Sequence, residues 1–164
     1  MLVVSQAESP SQIAAVEELL REYTTWAFTL EAGSEHAPAF QGLDRELATL
    51  PGIYAPPKGR LLLATVDGRP AGCVCLKGND AVTCEVKRLY VRPGFRGMKI
   101  GEQLIANLLE EARGEGYRRV VLDSHHSMKA AHARYEAAGF RRVSPPDDVP
   151  DRIKAIAIFM ECEL

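Results

Sequence analysis

The order of strand-like and helix-like segments predicts an α/β fold in which helices pack against a mixed β-sheet. Two observations lead to this class. Apolar residues recur at helical spacing in two early segments and again after residue 100, whereas residues 60–92 alternate as strands do. Turn signals such as Asp67-Gly68 separate the strands, and Gly139 ends a helix. The predicted order is β-α-α-β-β-β-α-β-α-β-β, within a single domain that covers residues 1–164.

The N-terminal part is predicted to contain one strand and two helices before the sheet continues. Residues 1–6 form the strand, and residues 9–12 (SPSQ) start a helix because they combine a capping box with proline at the first helical position. A break over residues 33–38 precedes the second helical pattern, which consists of Phe40, Leu43, Leu47 and Leu50.

The remaining elements follow the same reasoning from periodicity and turn residues. Strands are predicted over 61–66, 71–77, 81–92 and 120–122, and the last two over 140–143 and 155–163, with a proline-rich loop between them. A helix over 128–138 ends at Gly139. The helix that begins near residue 100 carries an apolar stripe of Ile100, Leu104, Ile105, Leu108, Leu109 and Ala112.

Composition and charge argue against several classes of protein. Twenty basic and 22 acidic residues give a net charge of -2, which is no electrostatic footprint for nucleic acid or an anionic membrane. No segment resembles a membrane-spanning helix or a signal peptide, so we expect a cytoplasmic protein. The four cysteines lack zinc-site spacing and are expected to be buried free thiols: Cys73, Cys75, Cys84 and Cys162.

The loop between residues 92 and 100 has the features of an anion site. It precedes a helix N-terminus, whose unsatisfied N–H groups attract negative charge. Gly94 and Gly97 allow close backbone approach, and Arg96 and Lys99 add positive charge. The loop lacks GK[ST] and GxGxxG, which argues against a nucleotide-hydrolysing P-loop and a Rossmann loop. From the loop alone, an ordinary strand-to-helix turn is an equal alternative.

Two longer strings resemble the signatures of the GNAT acyltransferase superfamily. Residues 86–101 (VKRLYVRPGFRGMKIG) resemble its acyl-CoA-binding motif, and residues 131–140 (AHARYEAAGF) resemble its second signature. The resemblance implies a mostly antiparallel sheet of about seven strands, splayed between strands 4 and 5, with about four helices. It also implies an enzyme, an acyl-CoA-dependent N-acetyltransferase with acetyl-CoA as cosubstrate and no metal.

The resemblance assigns cofactor binding to the first string, with the pyrophosphate on the loop amides and the pantetheine arm along the strand. Two residues depart from the family pattern. Lys99 replaces a glycine, and we expect it to adopt ordinary helical backbone and to add a phosphate contact. Met128 replaces an asparagine, so no cofactor role transfers to it. The assigned residues are Leu89, Tyr90, Val91, Arg96, Gly97, Met98, Lys99, Ile100 and Gly101.

The resemblance also implies direct attack of an amine on the thioester, with the oxyanion held by a backbone N–H near Val91. Tyr135 is the candidate acid for the departing thiolate, and the alternative is a packing residue of its helix. Glu85 is the candidate general base, although its ordinary pKa lies about six units below that of a lysine-like amine, roughly 8 kcal/mol. The alternative for Glu85 is an ion pair with Lys87 or Arg88.

The string Asp123-Ser124-His125-His126, with His132 nearby, raises the hypotheses of a metal site and of a catalytic triad. Adjacent histidines point apart in a strand, and no nucleophile stands at suitable spacing. We therefore predict loop residues near the cofactor arm and no metal, with His125 as a second candidate base.

The acceptor amine, of a small molecule or a protein, is not identified by the sequence. Trp26, Phe28 and Tyr54 are candidates for an apolar acceptor pocket or for the core. The acids that could attract a cationic amine, or merely lie on the surface, are Glu31, Glu35, Asp147 and Asp148. A non-catalytic acyl-CoA-binding sensor or interaction module and a phosphoester binder unrelated to CoA are the alternative functions, and a homodimer stays open.

Overall fold

A computed structural model describes residues 1–31, 40 and 42–164 of the chain. Within this part, seven strands and five α-helices follow one another, with 3-10 turns at Gly52–Tyr54 and Pro93–Phe95. In chain order they are β1 (Leu2–Gln6), α1 (Pro10–Ala27), α2 (Leu43–Ala48), β2 (Arg60–Val66), β3 (Arg69–Gly78), β4 (Thr83–Val91), α3 (Ile100–Glu115), β5 (Arg119–His125), α4 (Lys129–Ala137), β6 (Arg141–Val143), α5 (Asp151–Lys154) and β7 (Ala157–Glu163).

The strands form one sheet in the order β1-β2-β3-β4-β5-β7-β6. All neighbours are antiparallel except β4 and β5, which are parallel. Their pairing covers only three positions, from Thr83 opposite Arg119 to Glu85 opposite Val121, and the later residues of both strands are not paired with each other. The predicted α/β class, the mostly antiparallel seven-stranded sheet and the splay between β4 and β5 are confirmed.

Apolar side chains fill both faces of the sheet, because strand residues alternate between the two faces. Helix α3 covers one face with Leu104, Ile105 and Leu108, and α1 covers the other with Val16 and Leu19. The cysteines belong to these cores: Cys84 and Cys162 lie on the α3 side, and Cys73 and Cys75 share the α1 side. All four are buried free thiols, as predicted.

A β-bulge in β4 changes which face its side chains occupy. Cys75 pairs with Lys87 but Cys73 pairs with Tyr90, so β4 holds one extra residue there, and Arg88 has a φ of 60°. Val86 faces the α3 side before the bulge, whereas Tyr90 faces the α1 side after it. Bulges re-aim side chains in this way, often beside active sites.

Three predicted elements differ from the structure. The second helix begins at Leu43 rather than near Phe40, because Gly42 has a φ of 70°, which no right-handed helix accommodates. Strand β5 extends to His125, and the proline-rich loop contains α5, since Pro150 precedes the helix without interrupting it. The predicted break over residues 33–38 lies outside the described residues. None of the described helices has both the length and the hydropathy for crossing a bilayer.

Candidate active site

The start of α3 presents a row of free backbone amides. Over residues 97–102, no amide N–H donates to an acceptor among the described residues, and no side chain caps the helix. The helix is 16 residues long, so its N-terminus carries a substantial partial positive charge. Arg96 lies at the same loop, where its Nε atom donates to the carbonyl oxygen of Val91 at 3.2 Å. This arrangement suits a phosphate-bearing ligand.

Lys99 has a backbone conformation that the sequence analysis did not expect. It lies at φ 59° and ψ 24°, in the left-handed region, so the expectation of ordinary helical backbone was wrong. The chain turns at this residue from the loop into α3, and a residue with a Cβ is strained there. The family pattern has glycine here, and glycine adopts this region without that strain. Gly97 also needs its freedom, because its φ is +86°.

An open groove of ≈ 530 Å³ runs from this loop along β4. Of the nine residues predicted to bind the cofactor, Met98 alone does not line it, and its side chain is 48% exposed. Ile100 is only 1% exposed, so it can offer the groove little besides its backbone. Trp26 of α1 also lines the groove. Helix α4 contributes Lys129, Ala130, Ala131 and Arg134.

A second, smaller cavity of ≈ 160 Å³ lies next to the groove. Its walls come from α1, α4, α5 and from the parts of β4 and β5 that are not paired with each other. Leu89, Met128 and Ala131 line both the groove and the cavity. The two spaces therefore meet where the strands separate, and molecules held in each would come together at this point.

Tyr135 of α4 lines this cavity, with its ring packed edge-to-face against Phe140 at 5.3 Å. Burial, and to a lesser degree Tyr23 and Asp123, raise the pKa of its hydroxyl. Within the described part of the chain, nothing hydrogen-bonds this hydroxyl. The ring therefore contributes to packing, as the alternative prediction held, while the hydroxyl keeps its proton and has no competing partner.

Comparison with known proteins identifies the family. The sequence model of the acetyltransferase (GNAT) family matches residues 13–140. The chain belongs to this family. It is 33% identical to an uncharacterised N-acetyltransferase of Schizosaccharomyces pombe over 87% of this chain and 84% of the relative. The predicted class of the enzyme, an acyl-CoA-dependent N-acetyltransferase, is confirmed.

Two further similarities bear on the fold and on the family. The PaiA N-acetyltransferase of Thermoplasma acidophilum, solved with coenzyme A, superposes with a TM-score of 0.77 at 18% identity, over 100% of this chain and 99% of that one. The N-acetylaspartate synthetase of Danio rerio is 33% identical over 65% of this chain and 38% of the relative.

Asp123 is one of two described acidic residues, with Glu31, that line the cavity of this acetyltransferase, and the sequence analysis considered it only within the metal and triad hypotheses. It lies on β5, two residues beyond the last position that pairs with β4. Its side chain reaches solvent through the open cavity, yet surrounding protein atoms desolvate it and, with the nearby Glu85, raise the pKa of its carboxyl. The signal that could have found it is its place at the C-terminal end of a parallel strand, where ligands bind in α/β sheets.

Glu85, the predicted general base, does not line the cavity of the acetyltransferase. It sits at the last paired position of β4 and accepts a hydrogen bond from the Asn79 side chain at 3.2 Å. The alternative ion pair with Arg88 is not formed either, since Arg88 donates to the carboxylate of Glu46 from Nε at 2.9 Å and Nη2 at 2.8 Å. Among the described residues, the carboxylates that line the cavity are instead those of Asp123 and of Glu31, and Glu31 contacts His125.

His125, the second candidate base, lines the cavity but has partners at both ring nitrogens. Nδ1 contacts Ser127 Oγ at 2.7 Å, and Nε2 contacts Glu31 Oε2 at 3.2 Å. The expectation that His125 and His126 point apart was wrong: their rings stack at 4.4 Å, because β5 ends at His125 and strand alternation ends with it. Ligand atoms of Glu31, His125 and His126 lie within 4.8 Å of one another, and the absence of a bound metal stays a prediction.

The triad hypothesis corresponds to a real contact, because Ser124 Oγ lies 3.0 Å from Nε2 of the buried His132. A triad also needs a carboxylate that orients the histidine through its other nitrogen. Nδ1 of His132 has no hydrogen-bond partner in the described part of the chain. No carboxylate of the described residues therefore orients the ring as a triad would, and Ser124 and His132 link β5 to α4.

The candidate acceptor residues are dispersed. Tyr54 is fully buried in the core, where it donates to Glu46, and Trp26 lines the groove rather than the cavity. Glu31 does line the cavity, Phe28 does not, and Glu35 lies outside the described residues. Asp147 and Asp148 are exposed and do not line the cavity.

Proposed function

We propose that this enzyme transfers the acetyl group of acetyl-CoA to a small primary amine, by direct attack of the amine on the thioester. The observation that carries this proposal is the row of free amides over residues 97–102, at the end of a groove that opens into a second cavity. The donor occupies the groove and the amine occupies the cavity. The cytoplasmic location and the homodimer stay predictions.

The donor is expected to bind with its diphosphate on the amides of residues 97–102, where the helix dipole and the Arg96 guanidinium favour negative charge. The pantetheine arm follows β4 past Leu89 and Val91, whose strand has no β5 partner there. The known complex of PaiA with coenzyme A supports this placement, since the two proteins share one fold. The thioester then lies near Leu89 and Met128, at the opening of the cavity.

In the proposed reaction, the nitrogen lone pair attacks the thioester carbon and a tetrahedral intermediate forms, its oxyanion held by a backbone N–H near Val91. When the C–S bond breaks, the electron pair leaves with sulfur, and the nitrogen releases its extra proton to solvent to give the amide. Tyr135 stabilises this thiolate by donating a hydrogen bond. A thiol of ordinary pKa near 8.5 is a stronger acid than this tyrosine, whose raised pKa makes full proton transfer uphill by more than about 2 kcal/mol.

The small size of the cavity favours a small-molecule acceptor over a protein. Sites for drug-sized ligands measure about 300–1,000 Å³, and this cavity measures ≈ 160 Å³. The relative named N-acetylaspartate synthetase supports a small amine too, since its name describes an acetylated amino acid.

The central test combines acetyl-CoA turnover with the substitution Tyr135→Phe. We expect the native enzyme to release free thiol when amines are added, and Tyr135→Phe to lower kcat roughly 100-fold while calorimetric binding of CoA is unchanged. Because its hydroxyl has no hydrogen-bond partner among the described residues, this variant should lose little stability.

Tyr117→Phe is the matched control. The Tyr117 hydroxyl donates to the Lys58 carbonyl oxygen at 2.6 Å, away from both spaces, so its loss should cost about 1 kcal/mol of stability and leave kcat unchanged. CoA binding without turnover of any amine would favour the non-catalytic module, and no CoA binding would favour the unrelated phosphoester binder.

A further inference from the structure

Two charged side chains in the acceptor cavity have no ion-pair partner. Lys87 of β4 and Asp123 of β5 both line it, and neither forms an ion pair within 4.0 Å among the described residues. The other charged residues that line the cavity do have partners: Arg88 forms an ion pair with Glu46, and Glu31 contacts His125.

The splay of the sheet explains why Lys87 and Asp123 do not neutralise each other. Both residues lie beyond the last β4–β5 pair, on strands that are no longer joined by hydrogen bonds. They are close enough for the Lys87 charge to lower the pKa of Asp123, although desolvation and Glu85 raise it more. A cation and an anion thus line one small cavity without forming an ion pair with each other.

We propose that this cavity receives a free amino acid, with its ammonium group at Asp123 and its carboxylate at Lys87. This inference rests on the proposed function and specifies its acceptor. A zwitterion supplies one charge of each sign, and each would pair with a side chain that is otherwise unpaired. Asp123 accepts one proton from the ammonium, which frees the nitrogen lone pair for attack on the thioester carbon. The nitrogen releases a second proton to solvent as the C–S bond breaks and the CoA thiolate leaves.

The rest of the cavity indicates which amino acids fit. Most of the cavity wall is apolar. On the side near α1 and α5, the apolar lining residues are Ala27, Leu30, Phe40, Ile153 and Ile156. Among the described lining residues, Lys87 is the one cation without a partner, so a second carboxylate such as that of aspartate would have none. We therefore expect an apolar side chain, as in leucine or methionine.

The experiment compares matched acceptors with the full-length enzyme. Leucine, leucinamide and 3-methylbutylamine share one side chain but differ in the carboxylate, and aspartate adds a second carboxylate. Initial rates of thiol release from acetyl-CoA, with mass spectrometry of the product, give kcat/KM for each. We expect leucine to exceed leucinamide, 3-methylbutylamine and aspartate at least tenfold.

Two substitutions assign this preference to its residues. Lys87→Met should raise the KM for leucine at least tenfold and leave the kcat/KM for leucinamide within about twofold, so that the preference disappears. Lys58→Met is the matched control, because Lys58 is exposed and does not line the cavity; this variant should still prefer leucine to leucinamide. Asp123→Asn should lower kcat at least 100-fold with unchanged CoA binding, whereas Asp148→Asn, in an exposed loop, should not.

The outcomes distinguish a failure of the amino-acid inference from a failure of the proposed acetyltransferase function. Equal or faster turnover of leucinamide or 3-methylbutylamine would overturn the amino-acid inference and leave the acetyltransferase intact. Acetylation of peptides alone, or a preference that survives Lys87→Met in a folded variant, would overturn it as well. Absence of thiol release with every amine and peptide would overturn the proposed function itself.

Discussion

Lys99 combines a strained backbone conformation with a positive charge that we expect to attract the ligand's diphosphate. Its positive φ makes it a strained position, and it lines the groove where we place the diphosphate. A residue with a Cβ pays about 1–2 kcal/mol of strain in the left-handed region. Glycine avoids this strain, but its more flexible unfolded chain lowers the stability of the folded protein by about 0.4–1 kcal/mol. Strain and charge therefore act on different measurable quantities.

Two substitutions of Lys99 separate these effects. Lys99→Gly removes both the strain and the charge, and we expect stability to hold or to rise by up to about 1 kcal/mol. Lys99→Ala removes the charge alone and should not be stabilised. Both should raise the KM for acetyl-CoA by a similar factor, measured in steady-state kinetics beside urea denaturation. A stability loss in Lys99→Gly larger than that in Lys99→Ala would contradict the strained conformation.

At the scale of elements, a buried ion pair joins α2 to the bulge of β4. Arg88 and Glu46 are largely buried and meet at 2.8 Å. Burial works to raise the pKa of Glu46, but the hydrogen bonds from Arg88 and Tyr54 and the Arg88 charge outweigh it and lower the pKa below its ordinary 4.5. The pair thereby fixes the bulge, whose neighbouring residues form the wall of the acceptor cavity.

Breaking this pair should destabilise the enzyme strongly and in a pH-dependent way. We expect Glu46→Gln to lower the free energy of unfolding by about 3–5 kcal/mol at pH 7, because Arg88 is left buried with an uncharged partner. A carboxyl with a lowered pKa stabilises the fold above its unfolded-state pKa, and that contribution is lost as pH falls through the folded-state pKa. The difference between native and variant should thus shrink below about pH 4.5.

The exposed pair of Arg92 with Glu18, also at 2.8 Å, is the control for this prediction. Because solvent screens it, Glu18→Gln should change stability by less than about 1 kcal/mol. Urea denaturation from pH 3 to pH 8 gives the free energy of unfolding against pH for the native enzyme, Glu46→Gln and Glu18→Gln. A large loss in Glu18→Gln, or a difference between Glu46→Gln and the native enzyme that is independent of pH, would refute the role assigned to the buried pair.

At the scale of the whole molecule, one sheet joins the two sides of the ligand groove. The seven strands form a continuous sheet despite the splay, and its cores lie on both faces. We therefore expect a single cooperative unfolding transition in the described domain. A ligand that binds only the folded form raises its stability, by about 2.7 kcal/mol at a concentration 100 times its Kd.

CoA should accordingly shift this transition as a whole. We expect thermal unfolding in saturating CoA to stay a single transition with a higher Tm, whereas pantetheine at the same concentration should shift it little, since it lacks the diphosphate. Calorimetry with both ligands checks this. Equal shifts by the two would argue against the amides of residues 97–102 as the main anchor, and two separate transitions would argue against one domain.

The sequence by itself determined the α/β class, the order of the seven strands and of helices α1 to α4, and the unpaired N–H groups at the start of α3, but not the short helix α5. These depend on local patterns, namely hydrophobic period, caps, turn residues and one contiguous motif, which neighbouring residues establish without the rest of the chain. Cys73 and Cys75 lie on one face because they are two positions apart in β3, and strand side chains alternate.

Only the tertiary structure decided the left-handed backbone of Lys99, the bulge at Arg88 and the placement of Lys87 and Asp123 around one cavity without an ion pair between them. Each depends on which strand lies beside which, and on where the pairing of β4 with β5 stops. A periodic pattern records which face a side chain occupies but not the register of its neighbour. Eight of the nine residues that the sequence predicted for cofactor binding therefore line one groove, while the smaller cavity emerged only once the splayed strands were placed.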